Sequence, residues 1–286
     1  MQKYHHLLVI AKTGHQPAMA FAHMLTLWLQ HRQYTCQVCV ANQLSLPAIN
    51  KRPDLALVLG GDGTMLGVGR ILAGHNIPMI GINFGTVGFL TIAQQDNWEE
   101  KLLACLEGTM PLQSRMTLSW SLTRNAALLE QGYAVNDVVI SHGTLARLVS
   151  LNISINMEAM GSLRCDGIIF ASPMGSSGYT ASAGGPILFA QSDSYVVTPI
   201  CPFMRSVSPM VFPSHIVFRV LIEDSSIDAH LTVDGQIGYT LERGDILTIK
   251  GESNSLIFAS TDATFFEGLR RRGLVLEQIE KSSTLF

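Results

Sequence analysis

Through the first hundred residues the apolar positions fall in short unbroken runs, separated by segments in which they recur at helical spacing. "HLLVIAK" (6–12), "YTCQVCVA" (34–41), "DLALVLGG" (54–61) and "PMIGIN" (78–83) read as strands, the third of them buried. Between them, 17–32 reads as a helix opened by Pro17, about 65–73 as a second helix, and 98–107 as a third. Strands alternating with helices predict β-α-β units around a parallel sheet. From about Pro111 the pattern changes to alternating, turn-punctuated runs. They are "MTLSWSLTRN", "YAVNDVVIS", "LVSLNISIN", "SHIVFRVLIE", "HLTVDGQIGYTL" and "DILTIKGES". These predict a β-rich unit. The spacing predicts a last helix over about 264–279, packing back on the first unit. The expected fold is therefore an α/β N-terminal domain with a parallel sheet (1–110), a β-rich domain (111–262) and a C-terminal helix (263–286), with a cleft between the domains.

Composition narrows the class. The chain has 286 residues, 47% hydrophobic and 14% charged, an apolar balance that points to much surface lost to a core or a subunit interface, and an oligomer is expected. A net charge of -3 without a long Lys/Arg run argues against a nucleic-acid partner, and the cluster Arg270, Arg271, Arg272 reads as a solvated helix face. The apolar runs fall short of the roughly 20 residues that span a bilayer. The N-terminal run is also too short for a secretory signal, so no membrane partner and a cytoplasmic location are expected. Five cysteines do not form a disulfide framework, and "CQVC" (36–39) lies inside a strand with no second ligand pair.

Three stretches carry candidate chemistry. "LVLGGDGTMLG" (57–67) follows a buried strand but lacks the lysine and hydroxyl of a GxxxxGK[ST] loop, and it is not a GxGxxG fingerprint. Gly60, Gly61 and Gly63 leave room for phosphates beside backbone amides, while Asp62 adds a carboxylate that can accept a proton or help hold a metal. A tight turn with a capping aspartate is the simpler alternative. "CDGIIFASPMGSSGYTASAGGPI" (165–187) offers Ser176, Ser177, Tyr179, Thr180 and Ser182 to a base or ribose. "VNDVVIS" (135–141) places Asn136 and Asp137 at a strand start, where they fit a ribose diol, an adenine edge or an ordinary turn.

Together these segments resemble the NAD kinase family. The matching features are "GGDGT" (60–64), "GINFGTVGFLT" (81–91), "NDVV" (136–139), "DGIIFASPMGSSGYTASAGGPI" (166–187) and "VDGQ" (233–236), in the family's order. The GGDG element is shared with diacylglycerol-type lipid kinases and phosphofructokinases, whereas its combination with the serine-glycine stretch is specific. The resemblance implies a two-domain homodimer or homotetramer that phosphorylates the 2′-hydroxyl of the adenosine ribose of NAD with ATP and a divalent cation, Mg²⁺. It implies Asp62 as proton acceptor, with Gly63, Asn136, Asp137, Ser177, Gly178, Tyr179, Thr180, Ala181 and Ser182 around the nucleotide. Asp166 matches an acid near the nicotinamide, and Arg147, Arg164 and Gln236 match further contacts. Ser172, Met174 and Gly178 depart from the family's usual loop, as do Phe84, Thr86 and Ile92 elsewhere. Other classes sharing parts of this pattern are a lipid kinase of the diacylglycerol type and a non-catalytic NAD(P)-sensing protein.

Overall fold

The computed structural model describes residues 3–85, 88–143, 148–203, 207–223, 229–259, 266, 268–270 and 273–275. The first part runs β1 (His6–Ala11), α1 (Gln16–His31), β2 (Thr35–Val40), β3 (Leu55–Leu59), α2 (Asp62–Leu72), β4 (Pro78–Asn83), β5 (Ala93–Gln94) and α3 (Trp98–Leu106). Strands β2, β1, β3 and β4 are parallel neighbours in that order. The unbroken apolar runs of β1, β3 and β4 are explained by two covered faces, whereas β2, at the sheet edge, is only partly buried. Leu7, Val9, Ala11, Leu55, Leu57 and Leu59 pack on one side with Ala18, Ala22, Leu25 and Leu29 of α1. Leu8, Ile10, Ala56 and Val58 pack on the other with Met65, Val68 and Leu72 of α2. The start of α1 is set by His15, whose Nδ1 accepts the Ala18 N–H at 3.2 Å, and by Pro17 in the first turn. Cys36 and Cys39, three apart on β2, project to opposite faces and remain free thiols.

The second part runs β6 (Leu112–Arg124), β7 (Ala127–Ala134), β8 (Asp137–His142), β9 (Val149–Ile155), β10 (Glu158–Cys165), β11 (Gly167–Ala171), the single turn α4 (Tyr179–Ser182), β12 (Ser194–Ile200), β13 (Met210–Pro213), β14 (Val217–Ile222), β15 (Ala229–Val233), β16 (Ile237–Leu241) and β17 (Ile246–Ala259). Six of these strands form an antiparallel sheet ordered β13-β12-β11-β8-β15-β16. It packs on β6, β9, β10, β14 and β17 through a core that includes Trp120, Phe170, Tyr195 and Phe218. The run expected as one strand over 133–141 is broken at Val135 and Asn136, whose N–H groups leave the ladder.

The fourteen-residue β17 joins the two parts. Its first half pairs antiparallel with β14 and β6, and then Ile257 and Phe258 pair in parallel with Pro78 and Met79 of β4. The neighbour on one edge thus changes from β14 to β4, while β6 stays antiparallel to β17 on both sides of the register shift between Glu252 and Leu256. One continuous sheet therefore underlies both parts. Of the helix expected at 264–279, 266 and 268–270 are helical, and Leu269 packs with Ala190 against Phe89; the rest lies outside the described residues apart from 273–275. No helix among the described residues is long and apolar enough to cross a membrane.

Leu256, buried at the seam, packs with Val135 and the α2 face. Truncating it as Leu256→Ala is expected to cost about 2–5 kcal/mol in urea unfolding, since the rigid sheet on both sides prevents collapse around the cavity. A loss under about 1 kcal/mol would contradict the seam as a packed joint.

Candidate active site

The opening glycine-rich stretch forms a strand-to-helix turn. Gly60 N–H donates to Ile82 O at 2.9 Å, and the helix begins at Asp62, three residues earlier than its apolar spacing predicts, with Thr64 and Met65 N–H donating to Gly61 O. Gly60 is required by close approach, because a Cβ there would sit 2.5 Å from Thr64 Oγ1. The Asp62 carboxylate does not cap its own helix. Its Oδ2 accepts the Phe89 N–H at 2.8 Å and its Oδ1 the Leu90 N–H at 2.9 Å. A Cβ on Gly88 would collide with the same carboxylate. Phe89 and Leu90 thus hold the acid in place by two charge-assisted hydrogen bonds.

Two cavities flank this turn at the carboxyl ends of the parallel strands, beside the point where the strand order reverses between β1 and β3. One, of about 390 Å³, is lined by Lys12, His15, Asp62, Asn83 and Phe84 among others. The second, of about 500 Å³, is lined by Asn42, Gly63, Thr64, Arg70 and Gln236 among others. Lys12 and Gly61 belong to both.

From the β-rich part, the hairpin turn between β15 and β16 brings Asp234 to the site. Asp234 and Gly235 have φ of 51° and 62°, the left-handed pair of a type I′ turn, in which Asp-Gly is favoured. The Asp234 side chain is fully buried and collects four donors. They are the N–H groups of Val135, Asn136 and Asp137 at 3.1, 2.7 and 3.1 Å, and Arg70 Nη1 at 2.9 Å. Arg70 also donates to Gln236 Oε1 at 2.8 Å, and Gln236 Nε2 donates to Gly63 O at 3.0 Å. One network therefore links α2, which carries Asp62 and Gly63, to Asn136, Asp137 and Gln236. The Asn136 carboxamide makes no hydrogen bond among the described residues.

The serine-glycine stretch is less open than its composition implies. Ser176 is buried, donating to Pro173 O at 2.6 Å and accepting the Leu188 N–H at 2.9 Å. Ser177 is 4% exposed and donates to Met174 O at 3.4 Å. Thr180 is fully buried, and its Oγ1 has no hydrogen-bond partner among the described residues. Tyr179 and Ser182 are exposed, and Gly178 and Ala181 are partly so. Met174 packs in the core with Met65 and Leu66, so the hydroxyl it replaces would point away from solvent. Ser172, also buried, ties the stretch to Val135 O through its Oγ at 2.6 Å and to Asn136 O through its N–H at 2.8 Å.

Arg164 and Asp166 stand elsewhere. Gly167 pairs with Ser141 while Ala171 pairs with Asp137, which puts Asp166 at the far end of β11, roughly 17 Å along the strand. Arg164 lies over the Phe203 ring at 5.5 Å. Arg147 falls outside the described residues. Sequence reasoning passed over Lys12, His15, Arg70 and Asp234. Only "VDGQ", quoted as a motif, signalled the last. Among the described residues, no three His, Cys, Asp or Glu side chains cluster as a metal cage.

Burial, and secondarily the Asp234 carboxylate beside it, push Asp137 up to about 7. The unfolded chain releases this proton near 4 and the folded chain keeps it to about 7, so wild-type stability falls as pH rises between those values and levels above. Urea midpoints of Asp137→Asn minus wild type are expected to grow more favourable to the variant from pH 5 to pH 8. A constant difference would contradict the assignment.

Profiles of the ATP-NAD kinase N-terminal domain and the ATP-NAD kinase C-terminal domain match residues 45–110 and 135–259. A protein named NAD kinase from Nitratidesulfovibrio vulgaris (strain DSM 19637 / Miyazaki F) is 38% identical over 95% of this chain and 97% of its own. Another, from Lawsonia intracellularis, is 34% identical over 96% and 98%. The fold is shared with a crystal structure of yeast NADH kinase complexed with NADH, at TM-score 0.80 and 24% identity, covering 98% of this chain and 91% of that one. It is also shared with an NAD kinase from Archaeoglobus fulgidus in complex with ATP, at TM-score 0.74 and 24% identity, covering 94% and 99%. With the glycine turn, the held aspartate and strands β8 to β17 of the β-rich part falling inside the matched segments, the chain belongs to the ATP-NAD kinase family.

Proposed function

We propose that Asp62 orients the 2′-hydroxyl of the adenosine ribose of NAD and takes its proton as that oxygen attacks the γ-phosphorus of ATP. As an ATP-NAD kinase, the chain phosphorylates NAD with ATP, giving NADP. The observation that supports the role of Asp62 is its placement: a carboxylate fixed by two backbone N–H groups at the wall of a cavity, beside a second cavity reached across Gly61. An ionised carboxylate has about four lone-pair sites, so two amides leave room for a substrate hydroxyl. A carboxylate is a far weaker base than an alkoxide, so the proton moves late, as the new O–P bond forms and the bridging P–O bond to ADP breaks.

The acceptor's adenosine is read as lying against Gly63, Gln236, Asn136 and Asp137. The free carboxamide of Asn136 supplies donors and an acceptor, and Asp137 supplies an acceptor to ribose hydroxyls. Tyr179 and Ser182 are exposed and are read as offering their hydroxyls to the nucleotide, with Ser177, Gly178, Thr180 and Ala181 shaping the backbone beside them. We assign Arg147, Arg164 and Asp166 to further nucleotide contacts. Because Asp166 stands a strand length from Asp137, a homodimer or homotetramer, in which a second copy adds these side chains, is the assembly we infer. The protein is read as cytoplasmic. Asp62 is the carboxylate lining the first cavity, so the side chains present suit a divalent cation, Mg²⁺, carried mainly by the donor's phosphates. Bound there, it neutralises triphosphate charge.

Replacing the carboxylate as Asp62→Asn is expected to lower kcat for NADP formation by roughly 10²-fold or more, with the Kd for NAD within a few fold. Near-normal turnover would remove Asp62 from the proton-accepting role.

A further inference from the structure

We propose that β2 is an assembly edge, pairing antiparallel with β2 of a second copy of this chain about a two-fold axis at Val38. This surface lies on the N-terminal part, separate from the contact inferred above from Arg164 and Asp166.

β2 ends its sheet, with β1 on one side and no strand on the other among the described residues. None of its six residues is buried, whereas every residue of β1, β3 and β4 is. The pairing with β1 fixes where its backbone groups point. Thr35 N–H donates to His5 O at 2.9 Å, and in a parallel strand the N–H and C=O of one residue share a direction that alternates along the chain. Thr35, Gln37 and Cys39 therefore serve β1, while Cys36, Val38 and Val40 turn their polar groups to the open side.

An open row of this kind is normally blunted by Lys, Pro, a bulge or a covering segment. β2 has no charge and no proline, and its register with β1 runs without a shift. The surroundings repeat the pattern. In a chain that is 14% charged, residues 13–50 contain a single Asp, Glu, Lys or Arg, which is Arg32. Its Cζ lies 3.7 Å from the centre of the Trp28 ring and its Nη2 donates to Glu99. α1, which shares a core with Cys36, exposes Leu27 by 62%. The opposite face of β2 is tied down by Gln37, whose side chain donates to Ala48 O at 2.8 Å and accepts the Asn50 N–H at 3.0 Å. Both faces are thus occupied, and the unfilled direction is the edge.

A second copy fits because this edge is complementary to itself. With the axis at Val38, Cys36 faces the partner's Val40 and Val38 faces the partner's Val38, so outward N–H groups meet outward C=O groups in about six hydrogen bonds. The side chains brought together are small and apolar, and no like charges meet. Depletion of charge is also what distinguishes the centre of a protein interface from ordinary surface. An isologous pair closes on itself, which removes both free edges at once.

The test is sedimentation velocity of the full chain, with hydrogen exchange of the peptide spanning β2 read by mass spectrometry and NADP formation measured alongside. Wild type is expected to assemble with the Cys36, Val38 and Val40 amides protected. Val38→Lys, which sets two ammonium groups against each other at the axis, is expected to raise the dissociation constant of this contact about 10-fold or more. It should sediment at half the wild-type mass and exchange those amides fast, with NADP formation per chain near the wild-type rate. Val38→Thr, uncharged and β-branched, should keep the wild-type mass. Val40→Lys supplies the same reading should Val38→Lys not fold. A monomeric wild type would overturn the proposal. So would an unchanged mass in the folded lysine variants, or fast exchange of the three amides in the assembled wild type, which would leave the edge to a different partner. Absence of NADP formation by the wild-type chain would overturn the kinase reading alone, since mass and exchange decide the edge without it.

Discussion

The buried carboxylate of Asp234 is the interaction on which the two halves of the site depend. An ionised group with no exposed side-chain surface is costly to bury unless its lone pairs are filled, and here three successive backbone N–H groups and one guanidinium fill them. Each donor comes from a residue whose position matters. The amides belong to the segment that presents Asn136 and Asp137, and the guanidinium belongs to the helix whose first turn carries Asp62. The break between β7 and β8 follows from the same contact, because N–H groups turned toward Asp234 cannot also serve a ladder. The turn that aims Asp234 uses left-handed geometry at two consecutive residues, which explains why the hairpin reads Asp-Gly.

Asp62 is held by a second, independent device. Its two oxygens receive amides from residues about 27 positions downstream, and the close approach needs a glycine at 88. Phe89, which contributes one of those amides, also packs against Leu269 from the C-terminal segment. The acid is therefore braced by loop backbone, and that loop is braced by packing from the far end of the chain. Such pre-organisation lets a carboxylate orient a hydroxyl without first reorganising itself.

Much of the first part was legible in the sequence because both faces of its parallel sheet are covered: residues of β1 and β3 feed opposite cores in strict alternation, which appears as unbroken apolar runs. The helix after the glycine turn began earlier than its apolar spacing, since glycines at 60, 61 and 63 hide helical geometry that Asp62 and Thr64 adopt. The pairing of Ile257 and Phe258 with Pro78 and Met79 spans far too much sequence for local periodicity to show. In the site, Asp62, Gly63, Asn136, Asp137 and Gln236 were named from sequence, and the structure brings them into connected networks. Side-chain direction was not legible. Ser176 and Thr180 have the right chemistry for a nucleoside yet turn inward, and Met174 looks like a lost polar contact but fills a core. Lys12 belongs to no motif. Only the strand order sets it beside the switch point, on the wall of both cavities.

If Asp234 unites the site, its bond to Arg70 must be energetically coupled to catalysis as well as to stability. The most direct measurement is a double-mutant cycle on kcat/KM for NADP formation, using Arg70→Met, Asp234→Asn and the double variant. The account predicts strong non-additivity, with a coupling of at least about 1.4 kcal/mol, a factor of 10, because either single change disconnects the same joint. Effects that add within about 0.5 kcal/mol would contradict it, leaving α2 and the Asn136–Asp137 segment as independently placed parts.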